Sequence, residues 1–341
     1  MDLSVIVDKL LDMNPDPIPK FVLLKEFKGL SPDSIEYQNA YERVCHHHFV
    51  KRLEESQNEK GFWYPFHGDT EGIIRLLLSY GLDKKHPCLK KVIEHMTKLL
   101  NKEVDYDCYE KQDNIRWWPE IFMPLAISAT LSMVDNTNEI LDLHRKRWSA
   151  FTEISMREAN YNEFQKMDFQ VFNKTDPHKK GYDYEADRKA QYDYFKIKTN
   201  RIIPPFNYYN LLLLAPHNGN SSLSIDADKA LVDYCMNEAD GIYYVYNNNP
   251  GRMVQLNEEN RDSRSFCHWV RAMSLISKFN GWAKYEQKYY DWILAQLNQD
   301  GLLAFPKKYS LFALSDSWRG SKRAIDSTIY VLRFLMKKQA I

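Results

Sequence analysis

Arg264, His268 and Arg271 are spaced four and three residues apart, which stacks them on one face of a helix. Two guanidiniums beside an imidazole suit an anionic group, a phosphate or a carboxylate. They also favour the neutral imidazole, the form a general base needs near pH 7. The competing account pairs both arginines with acids on neighbouring helices. A second set, Arg319, Arg323 and Asp326, shares a face of the last apolar stretch, with Asp316 placed as its N-cap and Trp318 at its start. A third, His67, Asp69 and Glu71, opens another apolar stretch. Asp69 and Thr70 are N-cap types and Glu71 suits a first turn, so capping accounts for all of these but His67. The N-terminus of a helix also favours anions.

Aromatic residues recur beside these groups: Trp63, the pair Trp117 and Trp118 followed by Glu120, and the pair Tyr208 and Tyr209. As a wall they would stabilise a cation or stack on a sugar ring; one by one, core packing explains each of them. Candidates for acid–base work are therefore His268, His67, Glu120 and Asp326. Candidates for ligand contact are Trp63, Asp69, Trp117, Trp118, Tyr208, Tyr209, Arg264, Arg271, Trp318 and Arg319. Glu71, Glu120 and Asp326 would suit glycoside chemistry if two of them stood roughly 5–10 Å apart.

Other chemistries lack a motif. No HExxH, GxSxG, P-loop or GxGxxG pattern occurs in the 341 residues. His46, His47 and His48 look like a metal clip, but on one continuous helix they point in different directions and cannot share an ion. No metal and no cofactor is expected. Lys+Arg and Asp+Glu are both 46, so no basic field draws nucleic acid. Five scattered cysteines without a CxxC pair suit reduced thiols. The acidic N-terminus does not read as a signal peptide, and no run approaches the ~20 apolar residues of a membrane span. A soluble cytoplasmic protein is expected.

The elements that position these groups are helices. Short helices are expected at 2–12 and from about Pro19 to Lys28, with Gly29 as a C-cap. Amphipathic helices follow at 34–57, 87–102, after Val134–Asn138, and at 283–298. More apolar helices lie between them at 69–80, 117–133, 205–215, 263–279 and 318–338. Amphipathic helices belong outside and helices apolar all round belong inside, so each unit reads as an outer helix, a Gly-aromatic loop and an inner helix. Residues 157–203 break the period as an inserted, partly helical excursion rich in Tyr, Asp, Lys and Asn.

Gln57-Asn58-Glu59-Lys60-Gly61-Phe62-Trp63 resembles the QW repeat of squalene-hopene cyclases and their relatives. A weaker copy stands at Gln296–Leu303 and a degraded one at Asn237–Tyr243. The hairpins are similar to those of the α/α toroid shared by terpenoid cyclases and protein prenyltransferase β subunits. Trp63–Thr70, Gly81-Leu82-Asp83 and Asn14-Pro15-Asp16-Pro17 look like bacterial single-toroid members. The resemblance implies that the repeat's Gln ties adjoining helix ends and its Trp packs over the next turn. The acidic Asp-x-Asp-Asp motif of class II cyclases is absent. The Asp-x-Cys zinc pair of the prenyltransferases fails at Asp107-Cys108, and the carboxylate clusters of class I synthases have no good match.

The expected fold is all-α, a single-domain α/α toroid of five to six hairpins over 34–341, preceded by N-terminal helices at 1–33. The expected function is binding, and transformation if it is an enzyme, of an apolar or isoprenoid-like small molecule in an aromatic central cavity. The alternatives are a carbohydrate-active (α/α) barrel and a non-catalytic helical-repeat module for a protein partner.

Overall fold

The computed structural model describes residues 2–106, 118–158, 167–168, 180–181, 193, 203, 205–217, 219–237, 264–308, 310 and 313–336. Helix dominates among them, as the periodicity predicts, and no helix is long and apolar enough to cross a membrane. The chain divides into two compact units. The first holds Met1–Ile93, Glu258–Ser274 and Tyr285–Ile341, and the second Glu94–Asn257 and Leu275–Lys284.

In the first unit, α1 (Leu3–Asp12) is capped by Asp2, whose carboxylate accepts the Ser4 N–H at 2.9 Å. α2 (Pro17–Val22) starts at Pro17 rather than Pro19, continues through a π turn at Leu23–Phe27, and ends at Gly29 with φ +61°. It packs on α3 (Ile35–Cys45) and on the last helix of the chain. The continuous helix expected over 34–57 is instead two, because His47 leaves helical geometry (φ −66°, ψ 139°) and its Nδ1 accepts the Phe49 N–H. A side chain that caps locally competes with the helix ladder, and α4 (His48–Ser56) starts afresh there.

α5 (Glu71–Ser79) follows a π turn at Phe66–Thr70, and α6 (Pro87–Leu100) begins after a tight turn at Asp83. Burial differs between helices read as amphipathic and as apolar. α4 buries only Val50, whereas α7 (Met123–Val134), in the second unit, buries nine of its twelve residues.

In the second unit, α8 (Ile140–Glu158) packs on α10 (Ile225–Asn237), and α9 (Tyr208–Leu214) packs on α7. Asp228 on α10 accepts the Gly281 N–H at 2.7 Å and the Asn280 N–H at 3.2 Å, which fixes the 3₁₀ turn Asn280–Lys284. A Cβ on Gly281 would lie 2.9 Å from Val232, so only glycine permits this approach. Within the expected insertion at 157–203, two short strands pair antiparallel: β1 (Met167–Asp168) and β2 (Lys180–Gly181). Most of that stretch lies outside the described residues.

α11 (Arg264–Ile276), α12 (Glu286–Gln296) and α13 (Gly320–Leu335) complete the helices. The repeat is physical where it is described. Asn58 and Asn298 each accept, through Oδ1, the N–H four residues on, from Phe62 and Leu302 at 2.9 Å. Each turn closes on a left-handed glycine, Gly61 (φ +84°) and Gly301 (φ +76°). Two residues past each glycine, the backbone is held by a threonine hydroxyl: Trp63 N–H by Thr70 at 2.9 Å, Leu303 N–H by Thr328 at 3.0 Å.

The glutamine tie is made in the first copy alone. Gln57 Nε2 donates to Gly61 O and Cys88 O, whereas Gln296 Nε2 turns back to Trp292 O on its own helix. The degraded copy runs past Asn237 beyond the described residues.

Candidate functional site

The start of α5 brings an acid, an imidazole and a guanidinium together. Thr70 Oγ1 accepts the Trp63 N–H and donates to the Trp63 carbonyl, so a clamp closes the loop from 63 to 70. Gly68, at φ +102°, lets the chain double back inside it. The loop then delivers His67 one turn ahead of Glu71, and Arg75 one turn behind. Glu71 Oε1 lies 3.6 Å from His67 Nδ1 and 3.9 Å from Arg75 Nη2. Glu71 is fully buried, while His67 and Arg75 remain 26% and 20% exposed. Burying an ionised carboxylate is costly unless it is paired, and the i±4 neighbours supply that pairing. The result is a buried acid set between an imidazole and a guanidinium whose side chains are each partly exposed, although Arg75 Nη1 is itself buried. Such a pair can hold an anion by charge-assisted hydrogen bonds.

Side-chain capping does not account for this stretch. Thr70 occupies the N-cap position of α5 without a capping hydrogen bond, because its hydroxyl is taken by Trp63. Asp69 is exposed on the π turn.

Asp326 is buried in α13, but its oxygens are committed. Oδ2 accepts the Leu314 and Ser315 N–H groups, both at 2.9 Å, and Oδ1 accepts the Ser315 hydroxyl at 2.7 Å. Burial pushes its pKa up to about 6, against the pull of those donors. It anchors a loop. Asp316 does not cap α13, which starts four residues later at Gly320. Its carboxylate accepts from His47 Nε2 at 2.9 Å, and its N–H donates to Asp16. Arg319 is exposed at the N-cap position of α13, and Trp318 Nε1 donates to Pro306 O at 3.2 Å.

The remaining candidates are dispersed. Trp63 is buried and its Nε1 donates to Leu53 O at 2.8 Å, so it fastens the loop to α4. Tyr209 is fully buried edge-on to Phe122, with Tyr208 half-buried beside it. Glu120 is exposed and Arg271 is exposed on α11. Trp117, and the side chains of Trp118, Arg264 and His268, lie outside the described residues.

The main described aromatic cluster was not among the candidates. Trp269 on α11 meets Tyr289 and Trp292 of α12 and Phe334 of α13 at ring separations of 5.7–6.0 Å, with Phe266 against Phe305 at 5.7 Å. Tyr289 and Trp292 stand three apart on a helix expected to be amphipathic, and that i, i+3 pair was the available signal. Arg75 was missed as well; its i+4 relation to Glu71 was legible. The chain matches no protein-family model, and comparison with curated proteins and with solved structures gave no match.

Proposed function

We propose that the chain is a helical-hairpin protein of the α/α toroid type that binds an apolar, isoprenoid-like small molecule bearing an anionic head. The head sits at the start of α5. The observation that carries this reading is the buried Glu71 lying between the partly exposed His67 and Arg75 at a helix N-terminus. The Arg75 guanidinium and the helix end favour an anion, and the His67 ring N–H can donate to it. The toroid reading is supported by the duplicated Asn–Gly–Thr turn and by the contrast between the sparsely buried α4 and the heavily buried α7. The glycan alternative is less favoured, since Asp326 is spent on backbone donors and Glu120 is exposed.

Thermal denaturation with isoprenyl diphosphates, the parent alcohols and inorganic diphosphate tests it. A ligand that binds only the native state raises stability by about 2.7 kcal/mol at a hundredfold excess over Kd. The expected result is a larger shift with an isoprenyl diphosphate than with either fragment, and loss of that shift in Arg75→Ala. Absence of a shift with every prenyl compound would overturn the reading.

A further inference from the structure

Away from α5, three side chains of different chemistry converge between α4 and α6. Glu54 comes from α4, while His86 and Cys88 bracket Pro87 at the first turn of α6. One donor atom from each lies within 4.8 Å of the others. His86 Nε2 is 3.4 Å from Glu54 Oε1. We propose that Glu54, His86 and Cys88 bind a divalent metal ion of the zinc class.

The donor set fits such an ion. A thiolate, an imidazole and a carboxylate supply sulfur, nitrogen and oxygen, with two negative charges against the ion's two positive ones. Tetrahedral zinc at its usual bond lengths separates its donors by about 3.5 Å. The His86–Glu54 pair already has that spacing, and Cys88, within 4.8 Å of both, needs to close by no more than about 1.3 Å.

The site is also built. The turn ahead of it is pinned by the His86 N–H to Asp83 O and the Lys85 N–H to Asp83 Oδ1. Gln57 Nε2 donates to Cys88 O at 2.9 Å, which sets the register of α4 against α6. His86 and Cys88 are buried, and His86 Nδ1 has no hydrogen-bond partner. A buried ring with an unsatisfied nitrogen is not explained by packing alone. Glu54 is the member that reaches solvent, so the fourth position opens towards water on its side. Lys51 Nζ sits on Glu54 Oε2 at 2.7 Å, which leaves Oε1 for the ion.

The other described cluster of suitable residues, His47, His48 and Asp316, does not share this chemistry. His47 Nδ1 accepts the Phe49 N–H, so Nε2 carries the proton donated to Asp316 and has no lone pair for a metal.

The test uses the full chain without an affinity tag. Zinc content by native mass spectrometry and cobalt(II) substitution read by near-ultraviolet absorption report binding and ligand type. The expected result is one ion per chain and a sulfur-to-cobalt charge-transfer band. Cys88→Ser should abolish the band, while Cys45→Ser and Cys235→Ser should keep it. Glu54→Gln, on the solvent side of α4, should weaken zinc by about tenfold or more while the helical circular dichroism is unchanged. Failure of the folded wild-type chain to take up either ion would overturn the proposal. So would a band that survives in Cys88→Ser or a zinc affinity unmoved in Glu54→Gln.

Discussion

Gln57 reaches the carbonyl of Cys88 at 2.9 Å, and through that bond the C-terminus of α4 is fastened to the first turn of α6. The same amide group donates to Gly61 O at 2.7 Å. One side chain thus satisfies two carbonyls on two segments at once. Gln57→Ala removes both bonds and leaves a gap that water can fill only in part. A loss of about 1–2 kcal/mol is expected, read as a lower urea midpoint at unchanged slope. Gln296→Ala should cost less than half of that, because Gln296 bonds only within its own helix. Equal losses from the two substitutions would refute the distinction between the two copies.

The glycines grade in the same way. Gly29 and Gly61 both have positive φ, +61° and +84°, yet a Cβ on Gly29 meets nothing within 4 Å whereas one on Gly61 lies 2.9 Å from the Lys91 backbone. Gly29→Ala then carries only the left-handed penalty of about 1 kcal/mol. Gly61→Ala adds a backbone collision that no rotamer relieves, so its cost is expected to be at least about twice as large. Thermal denaturation of the two variants side by side checks the order.

Much of this hairpin was legible because it is local. The Gln-Asn-x-x-Gly-Phe-Trp run writes its turn in consecutive residues, and the helices that flank it carry their period in plain sight. The break at His46–His47 was not legible, since a single histidine ring caps α4 against a sequence that otherwise reads as helix throughout. Nor was the fate of Asp316 and Asp326. Both look like cavity or capping acids until His47, from a segment some 270 residues away in sequence, and the loop at Leu314 arrive to take them. The Glu54, His86 and Cys88 cluster was hidden for the same reason: its members stand 34 residues apart on separate helices. Long-range pairing decides these roles, and it leaves no local mark.

His144, buried on α8, is the group most exposed to acid in its consequences. Burial, and secondarily Arg147, lowers its pKa to about 4. A depressed histidine contributes stability that is present above its unfolded pKa near 6.5 and is lost as pH falls towards 4. The shift corresponds to about 3 kcal/mol at its limit. His144→Leu, which keeps the apolar volume, should flatten the fall in melting temperature between pH 6.5 and 4. An unchanged pH profile in that variant would show that the imidazole titrates alike in the folded and unfolded chains.

Asp326 works in the opposite sense over the same window. Its folded pKa of about 6 lies above the ordinary carboxylate value of 3.8. The folded chain therefore holds the extra proton between those values, and stability from this group is lost as pH rises through about 6. The two buried groups offset one another, so the wild-type profile should be flatter than either group alone would give. Asp326→Asn removes the titration and replaces one of the oxygens that hold Leu314, Ser315 and the Ser315 hydroxyl with an amide that can only donate. At pH 7 it is expected to cost about 1–3 kcal/mol through unsatisfied backbone donors. Below pH 6 the variant should lose stability more steeply than wild type, since only the His144 term remains. Guanidinium denaturation of wild type, Asp326→Asn and the double variant with His144→Leu at pH 7 and pH 5 separates the terms. If Asp326→Asn alone is shallower on acidification than wild type, the carboxyl is ionised throughout and its three donors, not its burial, set its pKa.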